Sequence, residues 1–229
     1  MTLAIMQPYF FPYIGYWQLL QVSDTFVIFD DVNFIKRGYI NRNSILIGGK
    51  STRFNLELIG SSQNKLINEI QIKGNNSKLL KTILRAYKKA PYFDVVYPIL
   101  TEIVEYKENN LAKFLGNSIT LISDYLKISS NIIYSSKIKK NNKLRAQNKI
   151  LDICKRLSAD KYINAIGGQE LYDRDKFLDT GIQLNFIKTN IIEYKQFYND
   201  FVPYLSIVDI MMFNKIKDIH KMLNSYSLV

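Results

Sequence analysis

Apolar and polar positions alternate along this chain in runs that predict strands and helices by turns. Residues 3–6 form an apolar run that stops at Gln7-Pro8, a buried strand ended by a residue without a backbone N–H. Residues 17–22 follow as a short helix, closed by Ser23-Asp24. Residues 25–29 (TFVIF) are β-branched and aromatic, the pattern of a second strand. Strand, loop, helix and strand in such a short space make a βαβ unit, which implies parallel strands.

Residues 32–50 are polar, basic and glycine-containing, and read as a long functional loop. Residues 51–58 alternate as a strand does, residues 68–73 are another strand candidate, and Gly60-Ser61-Ser62 between them is a turn. Residues 77–90 are amphipathic at helical spacing, with Leu79, Leu80, Ile83, Leu84 and Tyr87 on one face, and Pro91 stops them. Further helices are expected over 95–106 and 110–126. After that the alternation returns: strand 131–134, helix 142–158, strand 161–165, helix 170–180 closed by Gly181, strand 182–187, and helix again near the C-terminal end. The pattern predicts one α/β domain over 1–229. Its sheet is Rossmann-like and mostly parallel, flanked by helices, with a helical insertion at about 77–127.

Composition narrows the class. With 229 residues, 47% hydrophobic and 22% charged, the chain can bury a core. It holds no apolar stretch of the length that spans a bilayer and no leader-like start, so a cytoplasmic location is the simplest reading. Cys154 is the single cysteine, which excludes an internal disulfide and any four-cysteine zinc site. No metal-ligand cluster is read from the sequence. The net charge of +11 points toward nucleic acid or an anionic membrane surface. The joint richness in Lys, Ile and Asn has a plainer source in coding bias. The lysines along 78–89 read as the solvated face of a helix. Neither GxxxxGK[ST] nor GxGxxG occurs, and His220 is the single histidine, so a Ser/His/Asp triad has little support.

In open α/β sheets, ligands bind beyond the carboxyl ends of the strands. Three unusual segments fall there. The first supplies Gln7, Tyr9, Tyr13, Gly15 and Tyr16, whose rings and polar tips suit a base or a sugar. Phe10, Phe11 and Trp17 in the same segment read as a plug for the core. The second supplies Asp30, Asp31, Lys36, Arg37, Asn41, Arg42 and Asn43. Its cations suit phosphates, and its carboxylates suit a ligand amine, Mg²⁺ or general-base work. An Asp-capped turn followed by a solvated basic loop explains the same residues. The third supplies Gly167 and Tyr172.

The stretch MQPYFFPYIGYWQLLQVSDTFVIFDDVNFIKRGYINRNSI resembles the opening signature of the WbqC-like family. AYKKAPYF at 86–93, the Gly-Gly with Tyr172, and LSIVDIMMFN at 205–214 extend the resemblance over most of the chain. A more distant similarity in fold is to HIGH-motif nucleotidylyltransferases and pantothenate synthetase. Here Tyr13-Ile14-Gly15-Tyr16 stands where those enzymes carry His-x-Gly-His, and both histidines are absent.

The WbqC-like resemblance implies a role in surface-polysaccharide and O-antigen biosynthesis. It implies transfer of glycine or another acyl or aminoacyl group to the amine of a nucleotide-linked amino sugar. Lys36, Arg37 and Arg42 would hold phosphates, the tyrosines would pack on base or sugar, and Asp30 or Asp31 would face the amine. The partners would be that sugar and a small acyl donor. Making an amide from a free carboxylate requires activation, so ATP with Mg²⁺, or an already activated donor, is implied. A non-catalytic nucleotide- or glycan-binding protein and a nucleic-acid-binding protein are the alternatives.

Overall fold

The computed structural model describes residues 1–74, 76–198 and 200–229. The chain opens with β1 (Thr2–Met6), helix α1 (Ile14–Val22) and β2 (Thr25–Ile28). The helix starts three residues earlier than the pattern predicts, because Pro12 and Tyr13 turn the chain directly into it. Next come two hairpins, β3 (Arg42–Ile47) with β4 (Lys50–Asn55), and β5 (Leu58–Ile59) with β6 (Gln71–Ile72). Helices α2 (Ser77–Tyr87), α3 (Phe93–Glu105) and α4 (Leu111–Leu126) lead to β7 (Asn131–Tyr134). The rest runs α5 (Ala146–Arg156), β8 (Lys161–Ala165), α6 (Arg174–Leu178), β9 (Gln183–Thr189), α7 (Ile207–Phe213), α8 (Ile216–Leu223) and β10 (Tyr226–Leu228).

Six strands form one sheet in the order β10-β9-β8-β1-β2-β7. All pairs are parallel except β9 with β10. Strand β1 lies between β2 and β8, with Leu3 opposite Thr25 on one side and Tyr162 on the other. Successive side chains leave opposite faces of a strand, and the core divides accordingly. Leu3, Ile5, Val27, Tyr162 and Phe186 pack with Ile153 and Cys154 of α5 and Phe177 of α6. Ala4, Phe26, Ile28 and Ile163 pack on the other face with Trp17, Ile119 and Ile219. The result is a sheet between two helical layers, as the pattern predicts.

The insertion is larger than the helices alone. It fills the chain between β2 and β7 and includes both hairpins. The stretch expected to be a loop therefore contains β3, which turns into β4 at Gly48-Gly49, with φ of +57° and +74°. Both values lie in the left-handed region that a two-residue hairpin turn requires. The strand expected over 51–58 ends instead at Asn55. The strand expected over 68–73 shrinks to Gln71–Ile72, and the helix expected from residue 142 begins at Ala146. The helix expected over 170–180 is a 3₁₀ segment, Ile166–Leu171, followed by a short α6 that Asp173 caps. Asp173 accepts the first free backbone N–H groups there, so the helix restarts at that point.

Candidate functional site

The strand order reverses at β1: β2 and β7 lie on one side, β8 and β9 on the other. The carboxyl ends of these strands share one rim, where a crevice for ligands is expected. In the loop after β1, Phe10, Phe11 and Trp17 are fully buried. The Trp17 indole donates to the Pro12 carbonyl at 3.0 Å. These residues do plug the core. Tyr16 joins them: it is buried, and its hydroxyl donates to the Gln7 carbonyl at 3.1 Å. Burial pushes its phenol well above the usual tyrosine range. The Tyr16 hydroxyl is thus used within the chain, on the Gln7 backbone, rather than aimed at a ligand.

Tyr9 and Tyr13 behave differently. Tyr9 is half-buried, with its ring centroid 5.6 Å from that of Tyr16 and 6.1 Å from that of Tyr39. Tyr13 is 37% exposed and folds back over α1. A methyl group on Gly15 would lie 2.2 Å from the Tyr13 hydroxyl and 2.9 Å from Thr189 Oγ1. Gly15 therefore lets Tyr13 pack across the start of α1, against the end of β9.

Tyr13 and Tyr204 line two adjoining hollows. One, of about 540 Å³, also takes in Ile166, Lys188, Glu193 and Tyr194. The other, of about 250 Å³, also takes in Tyr9, Pro12, Tyr39 and Asn43. The first turn of α1 opens on this tyrosine cleft through Ile14, and no side chain caps it. Uncapped helix N-termini present backbone N–H groups suited to phosphate oxygens. Tyr204 is 84% exposed and has φ +59°, a conformation that costs a non-glycine residue about 1 kcal/mol or more.

The wall of the cleft behind Tyr194 is anchored by Asp209. This carboxylate is fully buried and accepts from Tyr87 at 2.6 Å, Tyr194 at 2.7 Å and Gln196 at 2.7 Å. Burial raises its pKa in spite of those bonds. The LSIVDIMMFN stretch thus contributes a buried acid that ties α7 to α2 and to the segment after β9.

The two aspartates after β2 part company. Asp30 is 2% exposed. Its Oδ1 accepts from the Ser136 N–H at 2.9 Å, and its Oδ2 from the Ser136 hydroxyl at 2.6 Å and from Asn68 at 3.4 Å. It lines a cavity of about 540 Å³ between the ends of β2 and β7 and helix α4. Asp31 instead binds two lysines, Lys140 at 2.7 Å and Lys149 at 3.1 Å, whose side chains are 1% and 6% exposed. Burial pushes the Asp31 carboxyl up, but the Lys140 hydrogen bond and the charge of Lys149 outweigh it and hold it below the usual carboxylate range.

The basic residues lie in a third place. Lys36, Arg37, Asn41 and Arg42 line a shallow groove of about 600 Å³ with Arg53 and Lys73. Lys36 and Arg37 are exposed. Arg42 donates to the Gly38 carbonyl at 2.8 Å and Asn41 to the Leu56 carbonyl at 2.9 Å. Asn43 is buried and donates to the carbonyls of Phe10 and Phe11, at 3.3 and 2.8 Å. Asn43 braces the hairpin against the first loop, while Asn41 and Arg42 tie down the hairpin's own ends.

After β8, Gly167 stands in open space, and Tyr172 packs on Tyr162 and Phe177 with its hydroxyl accepting from Asn164 at 2.8 Å. Ile166 is the residue of this loop that reaches the tyrosine cleft.

Sequence reasoning stopped one strand early here. Lys188 stands near the end of β9 and Glu193, Tyr194 and Tyr204 follow it, and their signal was a polar, aromatic stretch at and after the last strand of the βαβ rhythm. No group of three or more His, Cys, Asp or Glu side chains is gathered among the described residues. The donor set does not fit a dedicated Mg²⁺ cage, which takes carboxylate oxygens in octahedral geometry.

The model of a family described as WbqC-like protein family matches residues 7–221. A protein of Mycobacterium tuberculosis named Uncharacterized protein Rv1507c is 26% identical over 225 residues, covering 91% of each chain. No solved structure matches.

Proposed function

The chain belongs to the WbqC-like family, and from that premise we propose that it transfers an acyl or aminoacyl group, glycine among them, to the amine of a nucleotide-linked amino sugar. The observation that carries this reading is the tyrosine cleft at the point where the strand order reverses. Tyr9, Tyr13, Tyr39 and Tyr204 offer flat faces to a base or sugar ring, beside the uncapped start of α1.

The reaction joins the amine nitrogen to the activated carbonyl carbon. The bond to the leaving group breaks with its electron pair, and the amine proton passes to a base. Of the two aspartates expected to face the amine, Asp30 keeps that role, because it faces a cavity. Asp31 is held by its two lysines. Lys36, Arg37 and Arg42 are assigned to phosphate oxygens in the groove beside the hairpin. Activation calls for ATP or an already activated donor. Any Mg²⁺ would arrive on the phosphates.

The test is to incubate the protein with nucleotide-linked amino sugars, glycine and ATP, and to follow product mass. An adduct that is lost in Tyr13→Ala and Tyr204→Ala supports the reading. No adduct across a panel of sugars and activated donors overturns it. The locking of Asp31 favours one other reading, a nucleotide-sugar binding protein without turnover. That reading expects thermal stabilisation by the nucleotide sugar and no chemistry.

A further inference from the structure

Asp30 and Asp31 are neighbours with opposite electrostatics. Asp31 has two buried lysines within ion-pair distance. Asp30 is at least as buried, yet among the described residues no cation lies within ion-pair distance of it. A carboxylate taken out of water without a countercharge is costly, and hydrogen bonds from Ser136 and Asn68 answer that only in part. The cavity beside Asp30 is where a countercharge would fit.

The rest of that cavity is lined mainly by groups that hydrogen-bond without charge, with Lys113 and Lys137 as its two cations. Lys113, Asn117 and Thr120 recur at helical spacing along one side of α4. Tyr134 comes from the end of β7. Its phenol lies against the helix where Gly116 leaves room: a methyl group there would sit 1.9 Å from the hydroxyl. Burial, and then the charge of Asp30, push this phenol up to about 12, so it stays a neutral donor at physiological pH. Among the described residues, no hydrogen bond within the chain uses the Tyr134 hydroxyl or the side chains of Asn117 and Thr120. Lys113 and Lys137, both exposed, stand at the mouth.

We propose that this cavity is a subsite for a primary ammonium group, with Asp30 as its counter-ion and Tyr134, Asn117 and Thr120 as the residues that select its neighbouring hydroxyl or carbonyl oxygens. The proposal deepens the reading above and rests on it for the choice of ligands to try. A primary ammonium has two sources in that reaction, the amino sugar and a free amino acid donor. The volume of about 540 Å³ accommodates either.

Binding is measured by calorimetry and by ligand-observed NMR on the full chain, with glucosamine, glucose, N-acetylglucosamine and glycine as probes. An amine-bearing probe binds about 10- to 100-fold more tightly than glucose, the range for a charge-assisted hydrogen bond. Tyr134→Phe, Asn117→Ala and Thr120→Val weaken it severalfold without lowering the melting temperature, because these groups hold nothing else. Asp30→Asn removes the preference for the amine. Glucosamine binding places the sugar in the cavity, whereas glycine binding alone places the donor there, and both support an ammonium subsite. Equal binding of glucosamine and glucose, or no binding of either amine to the folded protein, overturns it. Group transfer that persists unchanged in the Tyr134, Asn117 and Thr120 variants would sink this subsite while leaving the proposed reaction standing. Amine binding without any transfer would do the reverse.

Discussion

Replacing Asp31 with Asn keeps the shape of the side chain and removes its charge. Lys140 and Lys149 then face each other and a neutral amide, with side chains 1% and 6% exposed. Lys149 retains its bond to the Asp31 carbonyl at 2.8 Å and its place over the Phe29 ring, so the fold keeps the lysines where they are. Breaking a buried ion pair by removing one partner costs about 3–5 kcal/mol. For a chain of this size each kcal/mol moves the melting temperature by about 2–4 °C, so the expected drop is about 6–20 °C.

Calorimetry or circular dichroism across pH measures it. The folded chain holds the Asp31 proton less tightly than the unfolded chain does. The contribution of this carboxylate is therefore complete above the ordinary aspartate value of about 3.9 and fades as pH falls through the depressed folded value. Asp31→Asn should flatten that part of the acid limb. The triple variant Asp31→Leu, Lys140→Met, Lys149→Met should recover most of the loss, since apolar replacement of a whole buried ion group is often neutral. A melting temperature for Asp31→Asn within about 2 °C of the parent would refute the reasoning, because it would mean the lysines reach water.

Two further outcomes follow from the same structure. Asp209→Asn sets an amide N–H₂ among three donors, so it should cost about 1–3 kcal/mol in denaturant unfolding and loosen the wall behind Tyr194. Cys154 is fully buried, and burial pushes its thiol up to about 12. It should resist alkylation in the native state and react only in denaturant; rapid labelling of the native chain would contradict its burial.

The parallel sheet was legible because its strands are short apolar runs broken by proline, aspartate or glycine, and because helices of clear period separate them. Strand β3, and with it the hairpin it makes with β4, was not, since Asn43 and Ser44 blur the alternation that marks a strand. Strand β10 was hidden as well, in a short tail after α8. The candidate loops were legible in their placement at the carboxyl ends of the strands. Their division was not, because adjacent residues in a strand-end loop can turn to different places. Asp30 faces a cavity while Asp31 meets lysines that lie more than a hundred positions away in sequence. Nothing near Asp31 in the chain announces Lys149. Likewise Asn43 reads as a free polar group until its bonds to Phe10 and Phe11 are seen.

The central place of β1 has a consequence for synthesis on the ribosome. Leu3, Ala4 and Ile5 emerge ahead of the rest of the sheet, and β2 follows soon enough to cover one side of them. The other side waits for β8, which begins at Lys161. For the time it takes to make more than a hundred residues, the middle of the future sheet is an open apolar edge, the kind of surface that chaperones hold and that joins growing chains together. Slow codons or a shortage of chaperone should therefore harm the yield of this protein more than its final stability would suggest.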